Sequence, residues 1–456
     1  MSTRFLLILG LACLLTACDD DNGHSPAPTP SPTQSTTATP SVTVTQTSTP
    51  VATATAVPSD TPTASPTLTA TVPPSATATP SATATRTPTS TASAVVTAAV
   101  DRSQAVADIA ATGVGKYLGR AVPAPTGFEG KWQRYDFATS DDGPICLYGT
   151  PYRVYFRPGT SNNVLFYLEG GGACWNNDTC WHDTRAKITS DPLAPLDIFP
   201  GILLQNDPTN PFTTWNVFYV PYCDGSVFAG DNIADYEGGR VWHRGISNVS
   251  TGVDVMKSLI PAPDKIVVSG SSAGGFGTFS GYGVMRLAYP DTEILVLNDS
   301  GPGIQNQNDM AALIDRETNW RLAQYLPRSC QLCLGQPLFL TDWSMNRDPT
   351  LRTGLFSTEH DFVIRDFLML SPDAFEDLLL DITGRVQARQ PDRFKRYFVD
   401  DEFHTILLGG GVTPEGNLGR SYRGLHVGDN KLPEWVFDFV SNGPRWQDVV
   451  EPDKTP

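Results

Sequence analysis

Lys265 to Thr278 reads KIVVSGSSAGGFGT: a β-branched apolar run, then Gly270-Ser271-Ser272-Ala273-Gly274, then two further glycines at 275 and 277. A tight turn needs one or two glycines, so four of them around a pair of serines call for another reason. The continuous Ile-Val-Val, from Lys265 to Ser269, predicts a strand buried on both faces, as in parallel sheets. The following stretch, GFGTFSGYGVMRLAY, predicts a helix whose small residues allow close packing on that sheet. Strand, sharp turn and helix form the setting in which a G-x-S-x-G serine serves as an exposed nucleophile, and Ser272 is the central serine. A glycine-rich turn that only packs a helix on a sheet would show the same local pattern, so partners decide the matter.

The first partner lies upstream. In NVLFYLEGGGACW the strand Val164 to Leu168 runs into Gly170, Gly171 and Gly172. Glycines let backbone N–H groups come close to a developing oxyanion. Esterases of the α/β-hydrolase kind combine an N–H from such a loop with the N–H after the nucleophile. Here those are Gly171, with Gly170 adjacent, and Ala273. The other partners should follow in the order serine, acid, histidine. Downstream histidines are His360, His404 and His426. RYFVDDEFHTILLGG predicts a strand Arg396 to Val399 and a loop carrying His404. TGLFSTEHDFVIRDF predicts a strand Thr353 to Thr358 and a loop carrying His360 and Asp361. Each residue is presented beyond a strand end, so Asp361 is expected to orient His404, which takes the proton of Ser272. Asp299, which ends the strand Glu293 to Asn298, is the alternative acid; its bland role is to cap loop N–H groups. His360 and His426 are expected to be loop or surface residues.

The rest of the chain bounds the setting. Arg4 precedes an apolar run, Phe5 to Leu15, too short for a bilayer, which needs about 20 residues. Leu15-Thr16-Ala17-Cys18 has the small residues of a bacterial lipoprotein signal, so residues 1–17 are expected to be cleaved and Cys18 lipidated. An ordinary secretory peptide ending at a cysteine would look similar. Residues 18–100 are dominated by Thr, Ser, Pro, Ala and Val, with little to bury and no period. They are expected to be a disordered tether, with an r.m.s. span of ~50 Å for ~80 residues as a flexible coil. Residues 101–456 have a globular composition that suits one large α/β domain. The net charge of −16 and pI near 4.7 argue against nucleic acid, whose binding needs basic patches. After Cys18 come Cys146, Cys174, Cys180, Cys223, Cys330 and Cys333, an even number that in an exported chain reads as disulfides, with 15 pairings open. Zinc is disfavoured, because Cys330-x-x-Cys333 has no second such pair and no suitably spaced histidine.

Several motifs in order resemble the pectin acetylesterase family, which includes the animal carboxylesterase Notum. They are LEGGGACWNNDTC (168–180), NPFTTWNVFYVPYCDGSVFAGD (210–231), VWHRG (241–245), GSSAGG and LNDSGPG. The likeness runs from about Phe128 to His404. It implies an α/β-hydrolase-like fold with a mostly parallel sheet flanked by helices. It assigns Ser272, Asp361 and His404 as triad, and Gly171 and Ala273 as oxyanion donors. It also pairs Cys174 with Cys180 and Cys146 with Cys223, leaving Cys330 with Cys333. One departure is Ala173, where relatives often have a tryptophan; Trp175 follows two residues later. Trp175, Trp181, His182 and the Tyr222-Cys223-Asp224 loop are candidates for the substrate wall, and each could equally be packing.

The implied chemistry is ester hydrolysis through an acyl-enzyme, with no metal or organic cofactor. The expected substrate is an acyl ester, acetyl above all, on a carbohydrate. The protein is expected to be a monomer that meets the membrane only through its lipid anchor at the bacterial cell envelope. A lipase or polyester-type hydrolase with a longer acyl pocket is the enzymatic alternative. A catalytically dead surface binding module is the non-enzymatic one, disfavoured because serine, acid, base and glycine loop occur in workable order.

Overall fold

The computed structural model describes residues 100–452. The signal peptide, Cys18 and nearly all of the tether lie outside the described residues. In chain order the elements are α1 (Ser103–Ala110), β1 (Gly127–Glu129), β2 (Trp132–Phe137), β3 (Tyr152–Arg157), β4 (Val164–Leu168), β5 (Asn216–Val220), β6 (Asn232–Tyr236) and β7 (Gly239–His243). Then come α2 (Gly245–Leu259), β8 (Lys265–Ser271), α3 (Ala273–Ala288), β9 (Glu293–Asp299), α4 (Met310–Trp320), α5 (Phe339–Met345) and β10 (Arg352–Thr358). The chain continues through α6 (Phe362–Phe367), α7 (Pro372–Arg389), β11 (Phe394–Val399), β12 (Gly410–Val412), β13 (Leu418–Ser421), β14 (His426–Val427), β15 (Asn430–Lys431), α8 (Leu432–Ser441) and β16 (Val449–Val450).

Ten strands form one sheet in the order β1-β2-β3-β5-β4-β8-β9-β10-β11-β16. The β1, β2, β3 and β5 contacts are antiparallel, and every contact from β5 to β16 is parallel. This is the mostly parallel, helix-flanked α/β-hydrolase-like architecture implied by the motifs. Strand alternation explains the two cores. Phe166, Leu168, Ile266 and Val268 face α2 and α3 on one side. Leu165, Tyr167, Val267, Leu295 and Leu297 meet Trp435 and Phe439 of α8 on the other. Burial on both faces is why β4, β5 and β8 read as unbroken apolar runs rather than alternating ones.

β8 extends two residues beyond its apolar run, to Ser271, because Gly270 and Ser271 stay in register with Asn298 and Asp299 of β9. The first serine therefore belongs to the strand, and the turn begins at the second. The strand reading at Val164–Leu168 matches residue for residue, whereas β10 and β11 begin one and two residues earlier than the sequence pattern indicates. Disulfides join Cys146 to Cys223, Cys174 to Cys180 and Cys330 to Cys333, the pairing implied by the resemblance. Among the described residues no helix is long and apolar enough to cross a membrane.

Candidate active site

The elbow is a strained turn. Ser272 has φ 57° and ψ −122°, a backbone conformation that costs a non-glycine residue on the order of 1–3 kcal/mol. It persists because its neighbours fix it. The Ser272 N–H donates to the Asp299 carbonyl at 2.8 Å, and its own carbonyl accepts the Phe276 N–H at 3.1 Å, the first bond of α3. The flanking glycines are required by close approach. A Cβ at Gly270 would lie 2.3 Å from the Gly274 oxygen, and one at Gly274 would lie 2.0 Å from the Leu168 oxygen. Helix, turn and neighbouring strand thus touch through backbone alone, which explains the glycine cluster.

The glycine loop after β4 stands against the elbow: a Cβ at Gly170 would come within 3.0 Å of the Ser272 Cβ. Gly172 has φ +75° and bridges to Ala186. The Ala173 N–H donates to the Arg185 carbonyl at 3.1 Å, and the Lys187 N–H to the Gly171 carbonyl at 2.7 Å. Beneath the loop lies Glu169, fully buried. Its carboxylate accepts from Tyr219 Oη at 2.6 Å, Lys187 Nζ at 2.8 Å, the Tyr222 N–H at 2.9 Å and the Leu193 N–H at 2.8 Å. Sequence reasoning passed over Glu169. A lone carboxylate closing an apolar strand was the available signal, since such a group is buried only when several donors meet it.

Asp361 and His404 come together from the ends of β10 and β11. Asp361 is fully buried and caps α6, its Oδ1 accepting the Val363 and Ile364 N–H groups at 3.0 Å each. His404 Nδ1 lies 2.8 Å from Oδ2 of the same carboxylate and 3.0 Å from Oδ1. A carboxylate only accepts, so Nδ1 carries a proton, and in the neutral ring Nε2 is the nitrogen with the free lone pair. That Nε2 is buried and has no hydrogen-bond partner among the described residues. No hydrogen bond joins it to Ser272 Oγ here; such contacts in unliganded sites often tighten only around substrate.

Asp299 meets the histidine loop rather than the histidine ring. Its carboxylate accepts from Ser271 Oγ at 2.5 Å, the Ile406 N–H at 3.1 Å and the Leu407 N–H at 2.9 Å. Tyr167 Oη in turn donates to Ser271 Oγ at 2.8 Å. Burial raises the Asp299 pKa, while the Ser271 hydroxyl and the two N–H groups pull it back. Ser300 Oγ also accepts the Thr405 N–H at 3.1 Å, so the end of β9 holds the loop that carries His404. His360 lies outside this arrangement, 2.9 Å from Glu376, and His426 is exposed.

Ser272, Ala273, Gly172, Ala173 and Trp175 open onto a cavity of about 190 Å³. Its walls are almost wholly apolar and come from distant segments, among them Ile109 of α1, Phe276 and Phe279 of α3, Trp320 of α4, Leu340 and Trp343 of α5, and Phe367 of α6. Trp175 belongs to this wall and meets Trp320 edge-on, ring centres 6.2 Å apart. The other expected wall residues, Trp181, His182 and the Tyr222-Cys223-Asp224 loop, do not. Trp181 stacks on Tyr148 at 4.5 Å and covers Gly238, because the Cys174–Cys180 ring turns the chain away from the cavity. Asp224 is fully buried, its Oδ1 accepting from Ser226 Oγ and the Ser226 N–H, and burial pushes its pKa up to about 6. His182 is exposed and pairs with Asp178.

A serine on a strained strand-to-helix elbow, set in a mostly parallel sheet and fronted by a glycine loop, places the domain in the α/β-hydrolase-like class. Residues 136–321 match the family model described as Pectinacetylesterase. It is 31% identical to pectin acetylesterase 11 of Arabidopsis thaliana over 172 residues, 35% of this chain and 42% of that protein. It is 31% identical to the palmitoleoyl-protein carboxylesterase NOTUM of Schmidtea mediterranea over 141 residues, 29% of this chain and 26% of that protein. The human NOTUM is 25% identical over 173 residues. The chain thus spans less than half the length of these relatives. Ser272 and the glycine loop fall inside the matched stretch, whereas Asp361 and His404 lie beyond its end.

Proposed function

We propose that this protein is a serine esterase that cleaves acyl esters through an acyl-enzyme. The observation that carries the reading is a strained serine, on the rim of an apolar cavity, beyond the same C-terminal strand ends as a buried Asp361–His404 pair whose Nε2 has no partner among the described residues. In this reading Nε2 accepts the Ser272 proton as Oγ attacks the ester carbonyl carbon. The N–H groups of Ala273 and Gly171, with Gly170 adjacent, receive the charge on the carbonyl oxygen. His404 returns the proton to the leaving alcohol, and a water, deprotonated by the same ring, releases the acid. Asp361 stays ionised and fixes the ring.

The names of the relatives carry two acyl types, acetyl and palmitoleoyl. A cavity of about 190 Å³ exceeds what an acetyl group fills, so we place the acyl chain inside it and favour chains longer than acetyl over the acetyl preference expected from the motifs. A carbohydrate as the alcohol part rests on likeness to the pectin acetylesterases. Anchoring through Cys18 and an extended tether rests on the sequence alone; the three disulfides fit an oxidising compartment. The test is a nitrophenyl ester series from acetyl to octanoyl. Burying a methylene is worth ~0.8 kcal/mol, so kcat/KM should rise by up to roughly fourfold per added methylene until the cavity is full. A monotonic fall from acetyl would restore the short-chain reading. No hydrolysis at any length, and no labelling of Ser272 by a fluorophosphonate, would leave the binding-module alternative.

A further inference from the structure

Arg316 lines the same cavity as Ser272, yet it is an arginine in an apolar wall. It is only 9% exposed, and its Nε is buried without a hydrogen-bond partner. No carboxylate among the described residues lies within ion-pair distance of it. The acids on or capping its helix are engaged elsewhere: Asp309 caps α4 by accepting the Ala312 N–H at 3.1 Å, Asp315 accepts from Asn176 Nδ2 at 2.9 Å, and Glu317 accepts the Ala323 N–H at 3.0 Å. Its one strong neighbour is the Trp175 face, 4.9 Å from the guanidinium carbon. Among the described residues Arg157 is also buried without an ion pair, over the Trp132 face and donating to the Leu203 carbonyl at 2.6 Å, but it does not line the cavity; other buried cations have a carboxylate. Arg286 meets Asp348 at 2.7 Å, Arg244 meets Asp231 at 2.5 Å, and Lys187 meets Glu169 at 2.8 Å. A buried guanidinium without an anion is costly, and burial lowers the Arg316 pKa against the opposing pull of Asp309 and Asp315.

We propose that Arg316 makes the cavity beside Ser272 a carboxylate-binding site, so that the preferred ester carries an acid group that pairs with this guanidinium. The proposal rests on the esterase reading for the ester, though not for the binding. The geometry around the arginine supports it. Ala173, Trp175, Ala312 and Trp320 pack as one cluster, so the short side chain at 173 leaves Trp175 and α4 together at the serine end of the cavity. Trp175 holds the planar guanidinium by its face, leaving the donor fork for an incoming carboxylate, the geometry in which Arg binds most strongly. The acid group can belong to the acyl part, as in a half-ester of a dicarboxylic acid, or to the alcohol part, as in a uronic acid.

Two arms distinguish these sources in the full chain. The first compares 4-nitrophenyl hydrogen adipate with 4-nitrophenyl hexanoate. The second compares the acetate esters of glucuronic acid and of glucose. In one arm the wild-type kcat/KM should favour the charged substrate by about tenfold or more, as expected of one charge-assisted pair. That ratio should fall to about one in Arg316→Gln and be partly kept in Arg316→Lys. Because the ratio is taken within each variant, a general loss of activity does not affect it. Binding is read separately, by titrating Ser272→Ala with methyl hydrogen adipate, which carries a free carboxylate, and with methyl hexanoate, which has none, in a calorimeter. The charged ester should bind more tightly, and the added Arg316→Gln change should remove the difference. Tight binding of the charged ester with no turnover of any ester would sink the esterase reading and leave this one standing. A wild-type ratio at or below one in both arms, a ratio kept in Arg316→Gln, or equal binding of the two methyl esters would overturn it.

Discussion

Ser271 and Ser272 are adjacent, identical in chemistry and opposite in task. Ser271 ends β8 and points into the fold, donating to Asp299 and accepting from Tyr167. Ser272 begins the turn and opens on the cavity. Replacing each by alanine should separate the two roles. Ser272→Ala removes no hydrogen bond of its side chain that the fold depends on, and relieves none of the backbone strain. It should abolish ester hydrolysis while the melting temperature stays near wild type. Ser271→Ala leaves a buried carboxylate and a buried phenol each short of a partner, a loss of about 1–3 kcal/mol. It should lower the melting temperature by several degrees, with the folded protein still turning over substrate. A stable but inactive Ser271→Ala, beside an active Ser272→Ala, would reverse the assignment.

At the scale of elements the site is three strand ends held in register. α6 begins at Asp361, whose carboxylate both caps the helix and meets His404, so a substitution there conflates stability with catalysis. Asparagine resolves this, because it caps a helix about as well as aspartate but supplies no charge and can hold the wrong tautomer. Asp361→Asn should unfold within a few degrees of wild type and lose on the order of 10⁴ in kcat. Asp299→Asn should behave differently. The amide would present donors to the Ile406 and Leu407 N–H groups, loosening the His404 loop and lowering stability along with rate. An inactive, fully stable Asp299→Asn with an active Asp361→Asn would exchange their roles. The motif-bearing parts of this arrangement were legible because each is local: a strand, its glycines, and a residue just past the strand end. For Asp299 the capping of loop N–H groups was legible as one of its two readings, but not which loop, since its partner Leu407 lies 108 residues away and no local pattern encodes that contact. Arg316 escaped for a related reason. On a helix such as α4 one charged residue among others reads as a solvated face, and only the packing of Trp175 against Trp320 turns it inward.

For the molecule as a whole, the α/β-hydrolase-like fold class was what the resemblance carried by the ordered motifs implied, but the strand order and the cavity were not. The cavity is assembled from segments between Ile109 and Leu368, and no single one of them announces it. Trp181 shows the converse: an aromatic close in sequence to the glycine loop is open to wall or packing, and beside the Cys174–Cys180 ring it stacks on Tyr148. That same region sets how the molecule responds to acid. His243 ends β7, is fully buried, and uses both ring nitrogens, Nδ1 donating to the Asp224 carbonyl at 3.0 Å and Nε2 accepting from Tyr236 Oη at 3.1 Å. A neutral ring satisfies both bonds, whereas a protonated one would set a donor against the tyrosine hydroxyl and bury a charge. Burial accordingly pushes the His243 pKa down to about 4 from its ordinary 6.5, the Asp224 carbonyl only partly opposing it. At this ring the native state then binds fewer protons than the unfolded chain between those two values, so its contribution to stability falls as the pH drops below 6.5 and is lost near 4, while Asp224, its pKa raised to about 6, acts in the opposite sense. A shift of that size corresponds to on the order of 3 kcal/mol. Denaturant unfolding of wild type and His243→Gln at pH 7.5 and 4.5 measures it. The wild-type free energy should drop between the two conditions by about 2–3 kcal/mol more than that of the variant, whatever the variant's stability at pH 7.5. An equal drop in both proteins would mean that His243 takes up its proton in the native fold without penalty, and that the acid sensitivity lies in the carboxylates.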